Sequence, residues 1–130
     1  MRLARLKARA DFLRVAASGR KCVRPGLILQ VALQPRDGSA ANELHDDPRV
    51  GFTVTRKVGD AVKRNRARRR LRAAAADILS QGAKRGHYYV LIARRETLRR
   101  DFADLLSDLT GALRTLGAGE DRARSVRQSG

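Results

Sequence analysis

Cysteine is all but missing from this chain of 130 residues, with Cys22 the only one. That excludes an internal disulfide and any zinc site built from cysteine pairs. Histidine is nearly as scarce: His45 and His87 are alone, and neither has a partner at ligand spacing. Tryptophan is absent, and the rings are Phe12, Phe52, Phe102, Tyr88 and Tyr89. Some of these must be core, so any stacking surface for single-stranded nucleic acid is minimal. No apolar run approaches the roughly 18 residues of a membrane span. The basic N-terminus (Arg2, Arg5, Lys7, Arg9) is not followed by the apolar segment of a signal peptide. A cytoplasmic protein with no membrane partner is expected.

Catalytic constellations are missing too. The serines lie in turns, a charged helix or the C-terminal tail, without a Ser/His/acid context. No glycine-rich phosphate loop of either standard spacing occurs. Asp101, Asp104 and Asp108 fall at i, i+3 and i+7, and are read as a solvated helix face. No metal ligand set and no cofactor held by the protein is expected. The chain reads as a binder.

Acid is the scarcest resource relative to its opposite: 13 acidic residues face 29 Lys and Arg, giving a net charge of +16 and a pI of about 11.6. Such a field attracts polyanions and opposes compaction. The charge concentrates in Arg56-Lys57-Val58-Gly59-Asp60-Ala61-Val62-Lys63-Arg64-Asn65-Arg66-Ala67-Arg68-Arg69-Arg70-Leu71-Arg72, where nine of seventeen residues are cationic and only Asp60 opposes them. Asp60 suits an N-cap, and Ala, Arg and Leu favour the helix that follows. Ala67, Leu71, Ala74, Ala75 and Ile78 share one face, able to pack on a core. Cations at a helix N-terminus oppose its dipole at about 0.3–1 kcal/mol each, and like charges four apart repel. Stability does not explain the arrangement. Arginine, preferred over lysine, binds phosphate through a planar fork. Structured RNA or DNA is the ligand implied.

Along the chain, residues 3–17 read as an amphipathic helix with Leu3, Leu6, Ala10, Leu13 and Ala17 on its stripe. Phe12 is either core or a ring beside Arg5, Lys7 and Arg9. Residues 20–26 read as a basic loop, Leu27–Leu33 as a strand, and 34–48 as an acidic loop (Asp37, Glu43, Asp46, Asp47). Residues 49–55 alternate strictly, with Val50, Phe52 and Val54 on one face and Gly51, Thr53 and Thr55 on the other. The arginine helix runs to about Gly82, a strand spans 88–93, and a last helix spans about 98–116. Tyr88 and Tyr89 face opposite sides of the sheet, one core and the other open to ligand. The domain is 1–117; residues 118–130 are read as a disordered basic tail. The order α-β-β-α-β-α makes an α+β protein, a two-layer α/β sandwich with the arginine helix as a βαβ crossover.

The 56–72 stretch resembles the RNR signature of the bacterial ribonuclease P protein component. The resemblance extends to Arg49-Val50-Gly51-Phe52-Thr53-Val54-Thr55, to Val90-Leu91-Ile92-Ala93-Arg94, and to Asp11-Phe12 with Val15 and Gly19, covering residues 3–116. It implies a subunit assisting endonucleolytic removal of the 5′ leader from precursor tRNA. The chemistry belongs to a catalytic RNA subunit that requires Mg²⁺. The partners implied are that RNA, with one protein per RNA, and precursor tRNA. Arg56, Lys57, Lys63, Arg64, Asn65, Arg66, Arg68, Arg69 and Arg72 match the RNA-binding motif. Phe12, Thr53, Thr55 and Tyr89 match a leader-binding cleft. A left-handed βαβ crossover is implied for the fold. Two departures are visible: Ala16 and the aliphatic Leu27–Leu33 stand where relatives carry aromatics, and Tyr88 stands where an acid is frequent. Weaker leader stacking, with charge carrying more of the binding, follows from them.

Overall fold

A computed structural model describes residues 3–34 and 47–119 of the chain. Five strands and three helices follow in the order β1 (Ala4–Arg5), α1 (Arg9–Ser18), β2 (Arg20–Val23), β3 (Leu27–Leu33), β4 (Arg49–Thr53), α2 (Ala61–Gly82), β5 (His87–Ala93) and α3 (Phe102–Leu116). Short 3-10 turns at Arg56–Val58 and Arg95–Leu98 precede α2 and α3. One mixed sheet has the strand order β1-β4-β5-β3-β2. β4 and β5 are adjacent and parallel, with Gly51 opposite Val90 and Thr53 opposite Ile92, so α2 is the crossover between them. β5 and β3 are antiparallel, as are β3 and β2.

The period-2 pattern of the strands divides the core between two faces. Leu27, Leu29 and Val31 of β3, with Tyr89, Leu91 and Ala93 of β5, meet α2 and α3 in the larger cluster. From α2 this cluster takes Ala67, Leu71, Ala74, Ala75 and Leu79; from α3 it takes Leu105, Leu109, Ala112, Leu113 and Leu116. On the other face Tyr88 and Val90 meet Val15 of α1 and Leu6, with Phe12, Ala32 and Ile92 packed against them. The α+β class and the α2 crossover match the sequence reading.

Several local expectations are corrected. Residues 3–6 are not helical. Ala4 N–H donates to the carbonyl of Pro48 and Leu6 N–H to that of Val50, both at 2.9 Å, so this segment pairs along the edge of β4. Leu3 and Leu6 thereby serve opposite faces, and the helix begins only after Ala8. In α1 Val15 is fully buried, while Leu13 is 57% exposed. Residues 20–23 form an edge strand rather than a loop, with Arg20 opposite Val31 and Val23 opposite Ile28; charged side chains are a usual guard on such an edge. The last helix starts at Phe102, preceded by a 3-10 turn. Asp108, read as solvated, is buried: it accepts Gly26 N–H at 3.0 Å and pairs with Arg100 at 3.0 Å. The acidic 34–48 loop lies mostly outside the described residues. Ala118 and Gly119 pack against the fold, Ala118 fully buried and Gly119 bridged to Ala83; the rest of the expected tail lies outside the described residues.

Candidate nucleic-acid interface

The basic element is held at its start by three local devices. Val58 is buried and anchors the 3-10 turn. Gly59 takes a φ of 148°, a region that side chains disfavour, and so turns the chain into the helix. The Asp60 carboxylate then accepts Lys63 N–H at 3.0 Å, the N-cap anticipated from sequence. With Ala67, Leu71, Ala74, Ala75 and Leu79 turned to the core, helical geometry leaves Lys63, Asn65, Arg66, Arg69 and Arg72 on the outer side of α2.

Arg56, Lys57, Lys63, Asn65, Arg66, Arg69 and Arg72 are exposed, and Arg64 and Arg68 are half-buried. Arg68 donates to Asn65 Oδ1 at 3.1 Å, which aligns two members of the motif. Among the described residues the ion pairs are Arg99–Glu96 and Arg100–Asp108, so no acid neutralises any of these cations. Arg64 Nε is buried without an acceptor. The helix therefore carries an open cationic surface at the end of its dipole least suited to it. One arginine of the run behaves otherwise: Arg70 donates through Nε to the carbonyl of Thr97 at 2.8 Å and through Nη2 to that of Arg100.

Beside this surface lies a cleft of about 390 Å³. Phe12 and Phe52 give it two rings, Leu6 and Gly51 an apolar floor, and Arg5, Lys7, Arg68 and Arg72 its charge. Phe12 lies directly over Gly51: a methyl group on that glycine would sit 2.5 Å from Phe12 Cε1 and closer still to Cζ. Only glycine permits this approach. The geometry joins what the sequence left apart, because Arg68 and Arg72 of α2 form one wall of the cleft that Phe12 enters.

The other residues expected in the cleft fare differently. Thr53 is half-buried on the Gly51 face of β4, opposite Ile92. β4 ends at Thr53, so Thr55 is exposed at the entry to the 3-10 turn, and neither threonine lines the cleft. Tyr89 is a correction: it is fully buried on the opposite face, where its hydroxyl donates to the carbonyl of Ala118 at 2.7 Å and accepts Lys84 N–H at 2.8 Å. Tyr88 faces α1 but is only 7% exposed, so neither tyrosine is open to ligand. Phe52, Arg5 and Lys7 were missing from the expected cleft. The Arg5-x-Lys7 pair just ahead of Phe12 was the available signal; Phe52 was masked by its core-like alternation.

Asp101, Asp104 and Asp108 do not form a metal site, because Asp108 is committed to Arg100 and Gly26. Among the described residues no group of three or more His, Cys, Asp or Glu is arranged to hold a metal ion. The Asp108 hydrogen bond holds the Arg100 guanidinium above its usual pKa, opposed by partial desolvation. No helix among the described residues is long and apolar enough to cross a membrane.

Comparison with known proteins places these features in context. A family model described as Ribonuclease P matches residues 1–117. The chain is 56% identical over 117 residues to a ribonuclease P protein component of Paramagnetospirillum magneticum, covering 90% of this chain and 85% of that protein. It is 43% identical over 124 residues to one of Caulobacter vibrioides, covering 94% and 76%. The RNase P protein of Staphylococcus aureus shares the fold at a TM-score of 0.70 and 21% identity, covering 92% of this chain and all of that one. That of Thermotoga maritima does so at 0.64 and 25% identity, covering 82% and 92%.

Proposed function

Because this chain belongs to the bacterial ribonuclease P protein family, we propose that it docks on the catalytic RNA through α2 and grips the 5′ leader of precursor tRNA in the adjoining cleft. The observation that carries the reading is the unneutralised cationic face of α2 sharing Arg68 and Arg72 with a cleft that holds Phe12. Phosphates at that face relieve the repulsion among the arginines and the conflict with the helix dipole. Hydrolysis of the leader phosphodiester is assigned to the RNA subunit and its Mg²⁺, and the acids of this chain take no step in it.

The division of labour within the site follows from side-chain chemistry. Guanidinium forks grip phosphate and carry little sequence information. Phe12 and Phe52 offer an apolar surface to one base or two at most. The sheet beyond Phe12 presents Thr53, Ile28 and Ile92, half-buried and not aromatic. Leader recognition is therefore dominated by charge, with one protein bound per catalytic RNA. Mature tRNA, which has no leader, loses the cleft contacts and binds more weakly than its precursor.

The test is precursor-tRNA cleavage at limiting Mg²⁺, with the catalytic RNA alone, the protein alone and both together. Stimulation by the protein only when the RNA is present supports the reading. Leader cleavage by the protein alone, or no stimulation in the combined reaction, overturns it. Affinity of the protein for the RNA should fall with salt at a slope of about −0.7 to −0.9 per phosphate contact.

A further inference from the structure

We propose that Arg70 is a positioning residue for RNA docking, turned inward to fix the rotation of α2 about its axis while its neighbours touch RNA. This rests on the docking role proposed for α2. By charge and by its place in Arg68-Arg69-Arg70, Arg70 resembles its two neighbours. Its guanidinium, however, is directed at two backbone carbonyls, those of Thr97 and Arg100.

Those acceptors belong to a segment held by several hydrogen bonds of its own. Thr97 is fully buried; its hydroxyl donates to the carbonyl of Gly26 at 2.6 Å and accepts Arg94 N–H at 2.8 Å. Arg100 makes two hydrogen bonds to Asp108, at 3.0 and 3.1 Å, and Asp108 in turn accepts Gly26 N–H. The same segment reaches back to the start of the basic element, where Arg95 Nε donates to the carbonyl of Lys57 at 3.1 Å. One fixed turn thus tethers the arginine element twice, just before the helix and at Arg70. From Ala61 to Arg70 the axis advances about 14 Å.

The tether matters because the buried face of α2 is largely alanine: Ala67, Ala74 and Ala75, with Leu71 and Leu79. Helix rotation is set by side-chain ridges seated in grooves, and alanine ridges are shallow. A rotation of about 20° moves a group about 6 Å from the axis by about 2 Å. That exceeds the tolerance of a hydrogen bond to a fixed phosphate oxygen. Arg70 supplies the registration that the packing alone leaves weak, and it does so across the half of α2 that carries Arg64, Asn65, Arg66, Arg68 and Arg69.

The experiment measures binding of the full-length protein to the catalytic RNA of the same organism over a series of salt concentrations. It compares wild type, Arg70→Gln, Arg70→Lys and Arg69→Gln, with the unfolding midpoint recorded for each. For Arg70→Gln the expected result is about tenfold weaker binding at every salt concentration, with an unchanged slope of log K against log salt. Arg69→Gln is expected to lower that slope by about 0.7–0.9. Arg70→Lys keeps a charged donor near the carbonyls and restores part of the loss. A slope that drops by one contact in Arg70→Gln overturns the proposal, because Arg70 then touches RNA. Unchanged affinity with only a lower midpoint also overturns it, since Arg70 is then a staple of the fold and nothing more. A wild type that does not bind overturns the docking reading itself, and the positioning role with it, and the wild-type curve alone reveals that case.

Discussion

Gly51→Ala moves Phe12 without altering it. Gly51 sits in β4 with a negative φ, so alanine meets no backbone strain there and gains about 0.5–1 kcal/mol over glycine in chain entropy. Its new methyl meets Phe12 Cε1 at 2.5 Å and Leu6 Cβ at 3.2 Å. Ordinary carbon contacts lie at about 3.5–4.0 Å, so the ring tip must retreat by about 1 Å or more. Phe12 is half-buried and has room to swing; Leu6 need give only a few tenths of an ångström. Overpacking costs about 1–3 kcal/mol, and with the entropic gain set against it the net destabilisation is about 0–2.5 kcal/mol. The protein stays folded while its cleft loses the ring's position. A base stacked on an aromatic side chain is worth about 1–3 kcal/mol, so the ratio of precursor to mature tRNA affinity should fall about fivefold or more. The assay is that ratio for wild type, Gly51→Ala and Phe12→Ala, each bound to the catalytic RNA, with denaturant midpoints as the control for folding. If the ratio is unchanged in both variants, Phe12 is a core residue and the leader reading of the cleft is wrong. If only Phe12→Ala lowers it, the ring tolerates displacement and the steric reasoning fails.

Tyr89→Phe removes a hydroxyl that bridges Lys84 N–H and the Ala118 carbonyl; chemical denaturation should show a loss of about 1–3 kcal/mol, with no change in the precursor-to-mature affinity ratio. Asp60→Ala deletes the N-cap of α2 and should cost about 0.5–2 kcal/mol in the same measurement. Because Asp60 is also the one acid within the basic element, RNA affinity of that folded variant should hold or rise. Arg72→Gln should lower both the salt slope of RNA binding and the precursor-to-mature ratio, since Arg72 lines the cleft, whereas Arg66→Gln should lower the slope alone; identical behaviour of the two would deny that the cleft and the helix share a wall.

Elements with their own period are legible in the amino-acid sequence alone. The stripe of α2 and its Asp60 cap, the strand Leu27–Leu33 and β5 all depend on spacing within one segment, and each appears within a residue of where the sequence places it: β5 starts at His87, and Leu79 is buried more fully than Ile78. β1 and β2 depend on a neighbour. Ala4–Arg5 is a strand because the edge of β4 offers carbonyls to it, and Arg20–Val23 because β3 does. Nothing within Arg-Lys-Cys-Val signals that. The alternation of Tyr88 and Tyr89 shows that they part company across the sheet but not what covers each face. α1 closes over Tyr88, while α2, α3 and the Ala118 carbonyl close over Tyr89. Asp108 was misread for a related reason. Its partners, Arg100 and the Gly26 amide, are 8 and 82 residues away, and the second lies beyond any local pattern.

The few acids show how this chain reconciles folding with its charge. Neutralising the arginine helix internally would relieve the free protein, yet the ion pairs among the described residues lie elsewhere, at Glu96 and Asp108. Asp108 steadies the segment from which Thr97 and Arg100 offer carbonyls to Arg70. Asp60, the single acid inside the basic element, uses its carboxylate on a backbone amide. Asp60 and Asp108 thus fix geometry, and among the described residues no acid pairs with a guanidinium of α2. An arginine paired internally must break that pair before it grips phosphate, which costs affinity; one left open on a fixed helix does not. The cationic surface of α2 and the rigidity of the turn behind it are thus two parts of one arrangement. The repulsion stored in the first is what a polyanion releases, and the second keeps the arginines in place until it arrives.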